Sequence, residues 1–110
     1  MATFNRYTKS IVADESTAAN QKVVEHGSTD IYIGLNICNK STTNTATVDV
    51  ELWGGTNNTA ALLIAKVVKI PVGGSVEIIQ GKIVAENNDD LLVKPVDAAV
   101  DVFASILKNA

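Results

Sequence analysis

The sequence predicts one small all-β domain, an antiparallel sandwich of two sheets. Short runs in which apolar and polar residues alternate recur along the chain, as expected of strands with one buried face. Turn-forming residues separate these runs about every 8 to 12 residues, a spacing typical of β-sandwiches. The pattern does not show the regular alternation of helices and strands that builds a parallel sheet.

Residues 30–55 carry the clearest signal. The first run places four apolar residues on one side: Ile31, Ile33, Leu35 and Ile37. The second run alternates three apolar residues with four others: Val48, Val50 and Leu52 against Thr47, Asp49, Glu51 and Trp53. The residues between the runs, 39–45, are mostly Asn, Ser and Thr, which favour turns. The stretch therefore predicts a β-hairpin that supplies one wall of the sandwich.

Length and composition predict an ordinary globular protein. The chain has 110 residues, of which 46% are hydrophobic and 19% are charged, and this suits one domain with one core. The net charge of −3 and the scattered Lys and Arg residues argue against a nucleic-acid binder. The first residues do not resemble a secretory signal, and no apolar run approaches about 18 residues. We therefore expect synthesis in a reducing cytoplasm.

Residues 1–29 are the least regular part of the chain. Weak strands are expected at residues 3–12 and 21–25, with a loop between them. These residues form a predicted N-terminal arm, which packs on the sandwich or extends onto a neighbouring molecule. The sandwich domain is expected at residues 30–110. We expect it to be of the jelly-roll or immunoglobulin-like type, preceded by the extended arm.

The segments after the predicted hairpin alternate between strands and turns. Further strands are predicted at residues 61–70, 76–79, 83–86 and 91–94. A flexible loop is predicted at residues 54–59, which are rich in Gly and Asn. Pro71 ends the first of these strands and opens a tight turn. Gly81 is expected to kink the chain, and the Asn and Asp residues at 87–90 are expected to form a turn.

The last segment fits two templates. Helical spacing joins Val96, Ala99, Val100, Phe103, Ile106 and Leu107. Strand alternation joins Val100, Val102, Ala104 and Ile106. The helix has slightly more matches, but every other segment favours a β structure. The segment is therefore predicted to be a strand.

The residues that could carry chemistry do not form a recognisable site. The single histidine, His26, lies in a predicted loop without a nucleophile pattern near it, and we expect it to be solvated. Asp49 and Glu51 are expected on a solvated strand face. Cys38 is a lone, half-buried thiol, which cannot build a four-ligand zinc site. We therefore expect no catalytic residue, no metal and no cofactor.

Several weak motifs follow one another in order along residues 3–107. They are TFNRYT, IYIGLNICNKSTTNTATVDVEL, KIPVGGSVEII, GKIV and NNDDLLVKPVDAAVDVFASIL. In this order they resemble a group of small structural proteins found in tailed-phage virions, and residues 13–29 are the poorest match. The resemblance implies a β-sandwich, and it implies that the last segment is a strand.

The resemblance also implies a non-enzymatic protein that binds other virion proteins. We expect a capsid decoration or minor capsid protein that links neighbouring subunits, in a virion assembled in the host cytoplasm. The alternatives are a neck, collar or tail accessory protein and a glycan- or receptor-binding fibre module. The expected partners are the major capsid protein, neck or tail proteins, and further copies of this chain, not nucleic acid or membrane.

Four side chains are candidates for the interface with those partners. They are Phe4, Tyr7, Trp53 and Cys38. Aromatic side chains are enriched where proteins bind each other, and Trp53 lies on the polar side of its strand, where it either caps the core or anchors a partner. The free thiol of Cys38 could cross-link subunits.

Overall fold

The fold is a sandwich of two antiparallel sheets. The computed structural model of the chain describes residues 2–54, 62–79 and 81–109. These residues form nine strands and one short helix: β1 (Thr3–Ile11), α1 (Ala18–Gln21), β2 (Lys22–Glu25), β3 (Asp30–Asn39), β4 (Ala46–Gly54), β5 (Leu62–Ile70), β6 (Ser75–Glu77), β7 (Ile83–Ala85), β8 (Asp89–Val96) and β9 (Val100–Lys108). The predicted all-β sandwich is confirmed.

The strands pair as nested partners along the sequence. β1 pairs with β9, β2 with β8, β3 with β6 and β7, and β4 with β5, all antiparallel. Sheet A has the strand order β1-β9-β3-β6, with β7 also on β3, and sheet B has the order β2-β8-β4-β5. A folded ribbon of this kind, wound into two sheets, is a jelly roll. The jelly roll is therefore the one of the two predicted sandwich types that the chain adopts.

The two strands of the predicted central hairpin lie in different sheets, so the hairpin prediction is wrong. β3 pairs with β9 on one side and with β6 and β7 on the other, which leaves no edge for β4. Residues 40–45 therefore cross from sheet A to sheet B. Alternation shows that each strand has a buried face, but it carries no information about which strand is the neighbour.

Asn39 holds this crossing from a buried position at the end of β3. Its Nδ2 donates to the carbonyl oxygens of Asn44 at 2.9 Å, of Ile70 at 3.0 Å and of Pro71 at 3.3 Å. Its Oδ1 accepts from the Ser41 N–H at 2.8 Å. One side chain thus ties the start of the crossing to its end and to the turn after β5.

An extra residue in β3 changes which side chains face the core. The pairing of β3 with β9 shifts just after Tyr32, which marks a β-bulge. Tyr32 is buried before the bulge and Leu35 after it, whereas Ile33 is 42% exposed. The predicted buried side is right for Leu35 and Ile37. It is wrong for Ile31 and Ile33, which lie on the outer face of sheet A.

The turn after β5 and the last strand confirm two further predictions. Residues 71–74 form a tight turn in which the Gly74 N–H donates to the Pro71 carbonyl at 2.9 Å. Gly73 has a φ of 70° there, a conformation that costs glycine little. The last segment is strand β9, as predicted. The predicted loop at residues 54–59 lies outside the described residues from residue 55 onward.

β8 runs past the point where the sequence predicts its end. Pro95 is buried within β8 and lies opposite Val48 of β4. β2 ends its pairing opposite Leu92, so Pro95 has a strand neighbour on one side only. A proline that cannot donate to a second ladder is tolerated in such a position.

The N-terminal residues supply one edge strand to each sheet. β1 pairs with β9 over its full length, and β2, which follows α1, pairs with β8. Ile11 and Val24 are buried and belong to the core between the sheets. The division of the chain into an arm at residues 1–29 and a domain at residues 30–110 stays a prediction.

Replacing Asn39 with alanine should destabilise the sandwich by about 2 to 4 kcal/mol, because buried carbonyl groups lose their donor. The free energy of unfolding in urea measures this loss. Asn36→Ala, in the same strand but on the outer face, is the matched control and should cost well under 1 kcal/mol. Equal losses for the two variants would contradict the role of Asn39.

Candidate functional site

His26 is buried, so the prediction that it is a solvated loop residue is wrong. Its ring is 2% exposed. Nδ1 lies 2.7 Å from Oδ2 of Asp30, and Nε2 lies 2.5 Å from the hydroxyl of Tyr32. Oδ1 of Asp30 accepts from the Ser28 hydroxyl at 2.7 Å and from the Asn109 N–H at 2.9 Å. Four side chains within residues 26–32, together with the Asn109 backbone, thus form one hydrogen-bond network centred on a buried histidine.

The network orders a hydroxyl, an imidazole and a carboxylate as a catalytic triad does, but all three side chains are buried. A carboxylate only accepts hydrogen bonds, so in the neutral ring the proton lies on Nδ1 and Nε2 accepts from Tyr32. The Tyr32 hydroxyl belongs to a fully buried side chain. A surface hollow of about 340 Å³ lies beside His26, but both ring nitrogens are already engaged. The network therefore holds the segment before β3 against β3 itself.

The environment moves the pKa values of two members of the network. Burial of Tyr32 raises the pKa of its hydroxyl, and the negative charges of Asp30 and Asp89 raise it further. Burial also acts to raise the pKa of Asp30, but hydrogen bonds from His26, Asn109 and Ser28 outweigh it and hold that pKa below its ordinary value of 3.8. The folded protein thus keeps Tyr32 protonated and favours an ionised Asp30.

The outer face of sheet A carries a row of apolar side chains across four of its five strands. Phe4 of β1 lies opposite Leu107 of β9, Leu107 opposite Ile31 of β3, and Ile31 opposite Val84 of β7. Directly opposite residues point to the same side of a sheet, so these four side chains form one line, the apolar row. Phe4 is 78% exposed and Val84 is 56% exposed.

Two more exposed apolar side chains, Ile33 and Phe103, lie on the same face as the apolar row. Of the eight large apolar side chains that are exposed among the described residues, four are therefore on this face: Phe4, Ile33, Val84 and Phe103. The other four are Val12, Val67, Val72 and Val96, and they lie elsewhere on the molecule. Single exposed apolar residues are normal, but four on one face make the outer face of sheet A the candidate binding surface.

Next to the apolar row runs a second line with opposite charges at its ends, the charged row. Arg6 lies opposite Ser105, and Ser105 lies opposite Gly34. The carboxylate of Glu77 from β6 reaches over Gly34, where an added Cβ would lie 3.6 Å from Oε1. Oε2 of Glu77 accepts from the Leu35 N–H at 2.5 Å. The face thus ends in a cation on β1 and an anion on β6.

The outer face of sheet B has a different character. Lys94 lies 2.9 Å from Oε1 of Glu51, and Lys22 lies 3.6 Å from Oδ2 of Asp90. Glu51 is buried, so the prediction that it lies on a solvated strand face is wrong. Asp49 accepts from the Val67 N–H at 2.8 Å, within the irregular pairing of β4 and β5. Lys94, Lys22 and Asp49 of sheet B thus have partners within the molecule.

The four predicted interface residues do not lie together. Phe4 starts the apolar row. Cys38, half-buried as predicted, lies on the same face opposite Asp101, at the far end of β3 from Ile31. Tyr7 is on the inner side of β1, half-buried, and its hydroxyl accepts from Lys108 at 3.2 Å. Trp53 is on the outer face of sheet B, and its Nε1 finds no hydrogen-bond partner among the described residues.

Sequence reasoning missed most of the apolar row. Leu107 and Val84 lie in segments that were predicted as strands, but nothing in those segments shows that they share a line with Phe4. Ile31 and Ile33 were assigned to the core because alternation through β3 hides the bulge. A glycine inside the strand, Gly34, is the one local signal of that bulge.

Comparisons of the chain with known protein families, curated proteins and solved structures find no match. Within residues 2–54, 62–79 and 81–109, no three His, Cys, Asp or Glu side chains lie close enough to hold a metal ion together. No helix in that part of the chain is long and apolar enough to span a membrane.

The buried Tyr32 hydroxyl should make the fold sensitive to alkali. Unfolded Tyr32 ionises near pH 10.0, whereas folded Tyr32 stays protonated to higher pH. Its contribution to stability is therefore fully present below that pH and is lost as the pH rises above it. Urea unfolding from neutral pH to about pH 11 should show a steeper loss for the wild type than for Tyr32→Phe.

The Tyr32→Phe protein should also be about 1 to 3 kcal/mol less stable at neutral pH, because Nε2 of His26 loses its buried partner. Tyr7→Phe is the matched control: it keeps Tyr32 and should retain the alkaline loss. Parallel pH curves for the wild type and Tyr32→Phe would contradict the proposed effect of burial.

Proposed function

We propose that this chain is a non-enzymatic structural protein of a tailed-phage virion, a capsid decoration or minor capsid protein that binds neighbouring subunits. The observation that carries the proposal is the exposed apolar row on the outer face of sheet A. Apolar side chains in such a line cost solubility, and a binding partner that covers them offsets this cost. The sequence motifs that resemble virion proteins support the same reading.

The jelly-roll topology is compatible with this role. Viral capsid proteins use the fold, but lectins and other proteins use it too, so this support is an analogy between folds. The proposed partners are the major capsid protein or neck and tail proteins, in a virion assembled in the host cytoplasm.

Phe4→Asp should reduce the incorporation of the chain into phage particles by about tenfold or more, because it places a charge where an aromatic anchor is buried. Phe4 lies where β1 is exposed on both faces, so the variant should still fold. Mass spectrometry of purified particles assembled with the variant measures the copies per particle.

Val12→Asp is the matched control. Val12 is 63% exposed, but it follows β1 at the other end of the sandwich, and its variant should incorporate as the wild type does. Equal incorporation of both variants would contradict the binding role of the apolar row. A chain that occurs in no phage particle would overturn the virion proposal, and a density map that places it in the neck or tail would overturn the assignment to the capsid.

A further inference from the structure

We propose that the outer face of sheet A binds the same face of a second copy of this chain. In this dimer the two sheets stack face to face around a two-fold axis that runs parallel to the strands, between β9 and β3. The proposal rests on the proposed function only in treating this face as a binding surface. It holds equally for a protein that never enters a virion.

The apolar row is complementary to itself under this symmetry. The axis exchanges the two edges of sheet A, so β1 of one copy lies over β7 of the other, and β9 lies over β3. Phe4 of each copy then covers Val84 of the other, and Leu107 covers Ile31. The two most exposed apolar side chains of the face, Phe4 and Val84, thus bury each other.

The charged row is complementary under the same axis. Arg6 is at the β1 end of this row, and the Glu77 carboxylate is over Gly34 at the other end. Exchange of the edges brings Arg6 of each copy over Glu77 of the other, so the dimer gains two ion pairs beside the apolar contact. Neither Arg6 nor Glu77 forms an ion pair among the described residues. The residues between these ends, Ser105 and Gly34, are small and allow close approach.

A two-fold axis along the apolar row, across the strands, does not reproduce this match. It places Phe4 over Phe4 and moves Arg6 beyond the end of the opposing sheet, away from Glu77. Pairing of two β1 edges also leaves Glu77 without Arg6. Charge complementarity therefore selects the axis parallel to the strands.

The size of the face suits a weak dimer. β1, β9 and β3 have nine or ten residues each, and β6 and β7, with three residues each, share the fourth position. With strands about 4.8 Å apart, this gives a face of roughly 550 Å². Stacking buries about this area on each copy, which is near the lower limit for a specific interface. We therefore expect a Kd in the micromolar range.

Sedimentation velocity of the purified chain over a range of concentrations tests the association. The expected result is a monomer–dimer equilibrium with a micromolar midpoint. A chain that stays monomeric up to about 0.5 mM, far above the expected Kd, would overturn this inference. That result would leave the proposed function standing, because incorporation into particles is measured separately.

Arg6→Glu and Glu77→Lys test the geometry. Each variant alone places like charges opposite each other twice in its own dimer, and self-association should fall about tenfold or more. In a mixture of the two variants, both cross-contacts become attractive, so heterodimers should form with an affinity near that of the wild type. Weakened self-association without recovery on mixing would overturn the proposed axis.

A second pair of variants decides the question if Glu77→Lys unfolds, since Glu77 also binds the Leu35 N–H. Phe4→Lys and Val84→Asp change two exposed side chains that form no hydrogen bond among the described residues. Each should weaken self-association, and mixing them should restore it through one new ion pair and one remaining Phe4–Val84 contact. Circular dichroism confirms the fold of every variant. Absence of recovery for this pair would overturn the proposal.

Discussion

The bulge in β3 is the local feature on which both the buried His26 network and the exposed apolar row depend. One extra residue between Tyr32 and Gly34 reverses which side chains of β3 point inward, because side chains alternate with a period of two. Without it, Ile33 would share the buried side with Leu35, and Tyr32 would lie outside. The buried His26 network and the exposed apolar row thus follow from a single irregularity, which the Glu77 carboxylate braces at the Leu35 N–H.

The sequence was sufficient for the class of fold and for most strands, because alternation and turn residues are local signals. It was insufficient for the pairing of strands, because partners such as Phe4 and Leu107 are far apart in the chain. The wrong hairpin prediction shows this limit. Residues 39–45 have the composition of a turn, but the strand order and the contacts of Asn39 with Ile70 and Pro71 show that they cross between the sheets. The burial of His26 was not predicted either, because its partner Tyr32 points into the core only as a result of the bulge.

The outer faces of the two sheets differ in the side chains that they expose. Sheet B presents ion pairs within the molecule, such as Lys94 with Glu51. Sheet A presents apolar side chains in a line and a separated cation and anion, Arg6 and Glu77. In the proposed dimer, the outer face of sheet A is covered by protein while the outer face of sheet B stays in water.

The nested pairing of the strands has a consequence for the order of events during synthesis. β1 has no neighbour in sheet A until β9 has left the ribosome, and contacts between residues so distant in sequence form slowly. The apolar row combines Phe4 with Leu107, so it does not exist on a nascent chain. The outer face of sheet A is therefore complete only after β9 has paired with β1, when the rest of the chain has already been made.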